Sequence, residues 1–213
     1  MIVVFCLPGN SYSGDFLKSF TGVWTWCLQN SIQPVLSQDH VSMVNFARCK
    51  VAGADVNRGP KQKPFNGAHY DYMMWIDSDQ TFTVNDFTKL LSMQCDVASG
   101  WYSQPNGYTP VVEKLDDEYF AEHGHYKFIK TDEMLKRKFA FTADYIGFGW
   151  VLVKQGVFEQ MEYPWFAPKK LTVPQGYEMC SEDVAWCLDA KALGIEIYVD
   201  PQIHVGHEKK QII

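Results

Sequence analysis

Two carboxylates one residue apart open the chemistry of this chain: Asp77 and Asp79, in Trp75-Ile76-Asp77-Ser78-Asp79. Oxygen donors at that spacing suit a hard divalent cation such as Mg²⁺ or Mn²⁺. Such a cation bridges two phosphate oxygens and neutralises charge on a departing diphosphate. By itself, Asp-x-Asp is also what a solvated loop carries by chance. A second acidic pair stands in Ser181-Glu182-Asp183. Acids there favour the dipole of a helix that Ser181 caps, and one of them can equally serve as general base toward a substrate hydroxyl. The third element is His207 in Val205-Gly206-His207, with His204 as its local competitor. A lone histidine is more often structural than a ligand. Asp77, Asp79 and His207 together nevertheless make a donor set for Mn²⁺, which accepts imidazole beside carboxylates.

These groups need elements to position them. Residues 2–7 form a continuous apolar run closed by Pro8-Gly9-Asn10, the pattern of a buried strand and its loop. Apolar residues at helical spacing follow over 15–28, then a strand over 33–36. A helix over 42–54 takes Ser42 as its cap. A loop spans 55–69, and residues 72–76 are a buried strand that ends at Asp77. A helix over 85–93 takes Asn85 as its cap, and a strand follows over 96–102. The β-α alternation predicts an α/β fold: an open, mainly parallel sheet with helices on both faces. In such sheets ligands gather at the carboxyl ends of the strands, where Asp77 and Asp79 fall. After residue 103 the rhythm breaks. Residues 105–140 are polar and turn-rich, a hairpin or a flap. A strand over 148–153, a helix over 182–193 closed by Gly194, and a strand over 195–199 complete the chain. The expectation is one domain over 1–213, with a nucleotide-binding half (1–103) and a more irregular half (104–213).

In this order the motifs resemble the metal-dependent GT-A glycosyltransferases, especially their family-2-like group, over most of the chain. The resemblance runs through Leu7-Pro8-Gly9-Asn10, the arginine helix segment Asn45-Phe46-Ala47-Arg48, the Asp77-Ser78-Asp79 motif, Gly147-Phe148-Gly149-Trp150, the acidic pair of Glu182-Asp183 and Val205-Gly206-His207. The chain's compact length and style also resemble glycosyltransferase domains of large algal DNA viruses (chloroviruses). The family implies transfer of a sugar from a nucleoside-diphosphate donor, by habit a UDP-sugar of glucose or rhamnose type, to a glycan hydroxyl with inversion. Pro8, Gly9, Asn10 and Ser78 then border the nucleotide. Asp39 accepts from the base, and Arg48 contacts base or phosphate. Asp79 and His207 hold Mn²⁺ or Mg²⁺, while Asp77 touches the ribose or a metal-bound water. Asp183 is the base, with Glu182 as its alternative. Residues 105–140, or 165–178 with its prolines, are candidate lids.

Composition bounds the alternatives. The 213 residues carry 19 basic and 25 acidic side chains, a net charge of -6, which argues against a nucleic-acid partner. Six scattered cysteines without a C-x-x-C pair read as reduced core thiols. The apolar amino-terminal run is too short for a signal peptide or a membrane span. The expected protein is cytoplasmic (in the host cytoplasm if viral), and a monomer or one module of a longer chain. Aromatics make up 15% of the residues, and Trp101, Tyr102, Tyr145, Phe148, Trp150, Trp165 and Phe166 flank the motifs as candidate platforms for sugar rings. Two rivals stand beside transfer. Asp77-Ser78-Asp79-Gln80-Thr81 also fits the nucleophile loop of haloacid-dehalogenase-like phosphatases, though no later acidic pair of their kind follows. A sugar-nucleotide or glycan-binding module without turnover is the other.

Overall fold

The computed structural model describes residues 1–173 and 176–209, so Pro174 of the second lid candidate and residues 210–213 lie outside the described residues. The strands are β1 (Ile2–Pro8), β2 (Gln33–Asp39), β3 (Tyr72–Ile76), β4 (Gln80–Thr81), β5 (Val97–Trp101), β6 (Val111–Val112) and β7 (Phe141–Ala143). They continue with β8 (Tyr145–Ile146), β9 (Trp150–Lys154), β10 (Lys169–Val173), β11 (Gly176–Cys180), β12 (Ile197–His204) and β13 (Gly206–His207). The helices are α1 (Gly14–Gln29), α2 (Val44–Val51), α3 (Val84–Met93), α4 (Asp117–His123), α5 (Thr131–Met134) and α6 (Glu182–Ala192).

Seven strands form the central sheet in the order β2-β1-β3-β9-β5-β12-β7. Five of them run the same way; β9 and β7 run against them. Both faces are covered, which explains the unbroken apolar runs of the parallel strands. Along β1, Val3, Phe5 and Leu7 join a cluster with Phe16, Val23 and Phe87, from α1 and α3. Val4 and Cys6 point the other way, into a cluster with Cys49 of α2 and Trp186 of α6. Trp75 centres that second layer, with Phe148, Phe158 and Phe166 rings 5.2 to 5.8 Å from its own. All six cysteines are free, and five are buried. Among the described residues no helix is long and apolar enough to cross a membrane.

The alternation in the first half is as expected; several details differ. Ser42 does not cap α2: Met43 occupies the cap position with no side-chain hydrogen bond. Asn85 lies inside α3, which Thr83 caps. Thr83 Oγ1 accepts from the Asp86 amide at 3.3 Å, and Asp86 Oδ2 accepts from the Thr83 amide at 2.8 Å. Thr-x-x-Asp closes a reciprocal box that a single Asn cannot. Replacing Thr83 with Ala is expected to cost about 1 kcal/mol. In a chain of this size that is a melting-temperature loss of about 2–4 °C, read by calorimetry.

Residues 105–140 are not a detached flap. Tyr108 pairs antiparallel with Lys130 as in a hairpin, the Thr109 amide donates to Ile129 O, β6 pairs with β8 outside the segment, and Val111, Val112, Ile129 and Met134 enter the core. Residues 165–178 fall largely in the β10–β11 hairpin. The last sheet strand runs on to His204 because its ladder with β5 is interrupted between Val199 and His204, and Pro201 sits in that gap.

Candidate active site at the carboxyl end of the sheet

Four chain segments meet where β3 ends. Because β9 runs against β3, Trp150 pairs with Ile76, and the preceding Gly147-Phe148-Gly149 lies beside Asp77, whose amide donates to Gly149 O at 3.1 Å. β13 pairs with β4, placing His207 opposite Gln80. That pairing needs Gly206, since a Cβ there falls 2.1 Å from Thr81 Oγ1. The amino end of α6 brings Glu182 and Asp183 to the same edge. Arg48, at the inner face of α2, links it to the Asp77 loop.

Asp79 and His207 form the first constellation. His207 Nε2 stands 3.2 Å from Asp79 Oδ2, and its Nδ1 lies 3.0 Å from Ser103 O. A carbonyl oxygen only accepts, so Nδ1 carries a hydrogen, and Nε2 is the ring nitrogen turned toward the carboxylate. Lys209 Nζ stands 2.9 Å from the same Asp79 oxygen. Burial works to raise the Asp79 carboxyl, but hydrogen bonds from His207 and Lys209, with their charges, outweigh it and bring it down to about 2. A carboxylate beside an imidazole held by a carbonyl is a donor set that fits Mn²⁺, with Ser103 as the orienting partner. Among the described residues no three His, Cys, Asp or Glu side chains converge on one metal position. Asp77 accordingly does not join the pair.

Asp77 belongs to a second constellation. Arg48 Nη2 donates to both its oxygens, at 3.0 and 3.2 Å, while Arg48 Nε reaches Glu182 Oε1 at 3.4 Å. Arg48 is 3% exposed and lies against the Phe148 and Phe166 rings, so its guanidinium is spent inside the protein. That differs from the expected contact with base or phosphate: a buried cation is retained only where anions compensate it. Burial raises the Asp77 carboxyl; Arg48 opposes this, and the charges of Asp79 and Asp183 add to it. Glu182 is raised in the same way, by burial and then by Asp183, against Arg48. An attacking carboxylate needs an unencumbered oxygen, and Asp77 has both on Arg48.

Asp183 takes three donors. Tyr145 Oη donates to Oδ2 at 3.0 Å, and the Val184 amide donates to Oδ1 at 2.9 Å; the Ser181 hydroxyl also donates to Oδ1. Ser181 stands at the cap position of α6 without a side-chain cap bond. It orients Asp183 instead.

The nucleotide-side residues are gathered more loosely. Pro8 ends β1, and Gly9 and Asn10 follow it, next to Asp39 at the end of β2, whose carbonyl accepts from the Gly9 amide at 3.1 Å. A Cβ on Gly9 falls 2.8 Å from Ser78 Cβ, so the glycine lets this loop approach the Asp77-Ser78-Asp79 loop. Gly9 O is already taken, by Tyr12 Oη at 2.9 Å and by the Gln38 amide. Asp39 Oδ1 accepts from the His40 amide at 2.7 Å. His204 stacks on Trp101, ring centroids 3.9 Å apart, away from the Asp79 pair.

The seven aromatics read as sugar platforms are all core residues, none more than 8% exposed, and Trp101, Trp150 and Phe166 are fully buried. Their rings fill the two layers against the sheet. Two still reach the site by their hydroxyls: Tyr145, on Asp183, and Tyr102, whose ring meets His207 edge-on at 4.7 Å. Ser103 and Lys209 were not legible as site residues, because each acts through a contact to a distant segment, while Ser181, two residues from Asp183, read only as a helix cap. The paired Gly147 and Gly149 were a signal for Tyr102: a Cβ on either falls 2.5 or 2.7 Å from it. A cavity of about 870 Å³ lies elsewhere, and its Arg137 and Lys191 are already paired with Glu113 and Asp144.

No protein-family model and no curated protein matches this chain. Solved structures do. GalNAc-T7, crystallised with UDP, GalNAc and Mn²⁺, is similar over 98% of this chain at 11% identity, with a TM-score of 0.56. This chain spans 44% of that one. The protein A197 from STIV is similar over 100% of this chain and 97% of its own, at 15% identity and a TM-score of 0.54. At such identities the likeness is one of fold: the chain has the GT-A architecture, a mostly parallel central sheet with helices on both faces.

Proposed function

We propose that residues 1–213 form one catalytic unit, a metal-dependent glycosyltransferase that moves a sugar from a nucleoside diphosphate to a glycan hydroxyl. The observation that carries this reading is Asp79 facing His207 across 3.2 Å at the carboxyl edge of a GT-A sheet, with Asp183 on the same edge. The donor is proposed to be a UDP-sugar of glucose or rhamnose type, bordered by Pro8, Gly9, Asn10, Asp39 and Ser78. Asp79 and His207 would hold Mn²⁺ or Mg²⁺, which would neutralise charge on a diphosphate leaving group. Asp77 turns its remaining open surface, 27% of the side chain, toward the ribose. Arg48 holds Asp77 and Glu182 in place and neutralises them.

Asp183 accepts the proton of the incoming hydroxyl as that oxygen attacks the anomeric carbon, and the product is inverted. Tyr145 and Ser181 keep the carboxylate aimed. Glu182, with one oxygen 3.4 Å from Arg48 Nε, is the alternative base. GalNAc-T7 was crystallised with a nucleoside diphosphate, a sugar and Mn²⁺, which supports the reading by fold analogy. The test is a thermal-shift screen of sugar nucleotides with and without Mn²⁺. A cognate donor is expected to raise the melting temperature in the presence of the metal by mass action. No shift with any donor, or the same shift after chelation, sinks the proposal.

A further inference from the structure

Tyr102 carries a hydroxyl that neither the fold nor the proposed chemistry uses. The residue is 8% exposed, its hydroxyl makes no hydrogen bond to another described residue, and that oxygen is not among the side-chain atoms sealed from solvent. A ligand that fills the site can therefore reach it. The backbone makes deliberate room for it. Gly147 and Gly149 lie against its ring and hydroxyl, so closely that a Cβ on Gly147 falls 2.5 Å from the phenol oxygen. The ring meets His207 edge-on at 4.7 Å. It also lies within electrostatic reach of Asp183 and of Tyr145, which donates to Asp183 at 3.0 Å.

That placement selects the ligand. In an inverting transfer the departing diphosphate and the general base stand on opposite faces of the anomeric carbon. A group between the metal pair and the base is therefore beside the sugar being transferred. We propose that the Tyr102 hydroxyl donates a hydrogen bond to a hydroxyl or the ring oxygen of that sugar, and so helps to decide which donor is accepted. The inference rests on the glycosyl-transfer reading above.

The test is Tyr102→Phe, which removes one oxygen and leaves the ring packing. Thermal shifts of the whole chain are measured with Mn²⁺ plus UDP and with Mn²⁺ plus UDP-glucose or UDP-rhamnose, alongside turnover. The variant is expected to melt no lower than the parent and to keep the UDP shift. The shift given by the sugar nucleotide should shrink, and kcat/KM should fall up to about 10-fold. An unchanged sugar-nucleotide shift and unchanged turnover overturn the inference. A UDP shift lost along with the sugar-nucleotide shift also overturns it, because the phenol then serves the diphosphate. A lowered melting temperature with normal turnover assigns Tyr102 to packing alone and overturns it too. If the parent chain itself responds to no sugar nucleotide, the glycosyl-transfer reading fails, and that failure is visible before the variant is examined.

Discussion

Asp79→Asn is expected to abolish metal-dependent turnover, by at least about 100-fold, because charge stabilisation by a bound cation contributes several kcal/mol to such a reaction. The substitution is nearly isosteric. The backbone around it stays anchored: Asp79 O accepts from the Glu208 amide at 2.7 Å, and Gln80 and Thr81 keep their ladder with β13. What is lost is the anion that His207 and Lys209 share. An amide oxygen is a far poorer ligand for Mn²⁺ than a carboxylate, and the imidazole alone does not hold the ion. The measurement is product formation across a Mn²⁺ titration, with the UDP-plus-Mn²⁺ thermal shift as a second readout. His207→Gln should behave in the same way, since it removes the other half of the pair. If Asp79→Asn keeps the parent's Mn²⁺ dependence and rate, the metal is held elsewhere and the proposed site is wrong.

Asp183→Asn should separate binding from chemistry. General-base catalysis contributes about 10²- to 10⁴-fold, so transfer is expected to fall by that factor. The proposed donor and metal contacts lie on β1, β2, the β3–β4 loop and β13, away from this side chain, so the UDP-plus-Mn²⁺ shift should persist. The amide keeps an oxygen for the Val184 amide or for Tyr145 and changes little in the packing of α6. Glu182→Gln is the comparison. It loosens Arg48, and the cost should appear as a lower melting temperature, since Arg48 then faces Asp77 with less compensation. If Glu182→Gln stops transfer and Asp183→Asn does not, the two carboxylates exchange roles. Analysis of the anomeric configuration of the product checks the inversion that a single base implies.

Much of the first half was legible because its signals are local. A continuous apolar run such as 72–76 can be satisfied only by a strand covered on both faces, and a loop with Asp77 and Asp79 must then fall at its carboxyl end. Helix α1 follows from apolar spacing alone. Caps were harder: Thr83 and Asn85 both fit the composition of a helix start, and the reciprocal bonds of Thr83 with Asp86 decided between them. The aromatics misled for a related reason. Trp101 and Trp150 flank the motifs in sequence, but side chains alternate across a strand, and these turn into the layers against the sheet, while Phe166, in a turn before β10, packs on Trp75 and Phe148.

The sequence by itself determined the α/β architecture, the placing of Asp77 and Asp79 after a buried strand, and the acidic start of α6, because strand and helix periodicity are properties of adjacent residues. Only the tertiary structure decided which groups face one another. The reversal of β9 sets Gly147-Phe148-Gly149 against Asp77, and the β13–β4 pair carries His207 across 128 residues to Asp79. Burial of Arg48 turns it from a ligand contact into the ion partner of Asp77 and Glu182. Each outcome depends on desolvation and on contacts between distant segments, and no spacing within the chain encodes either.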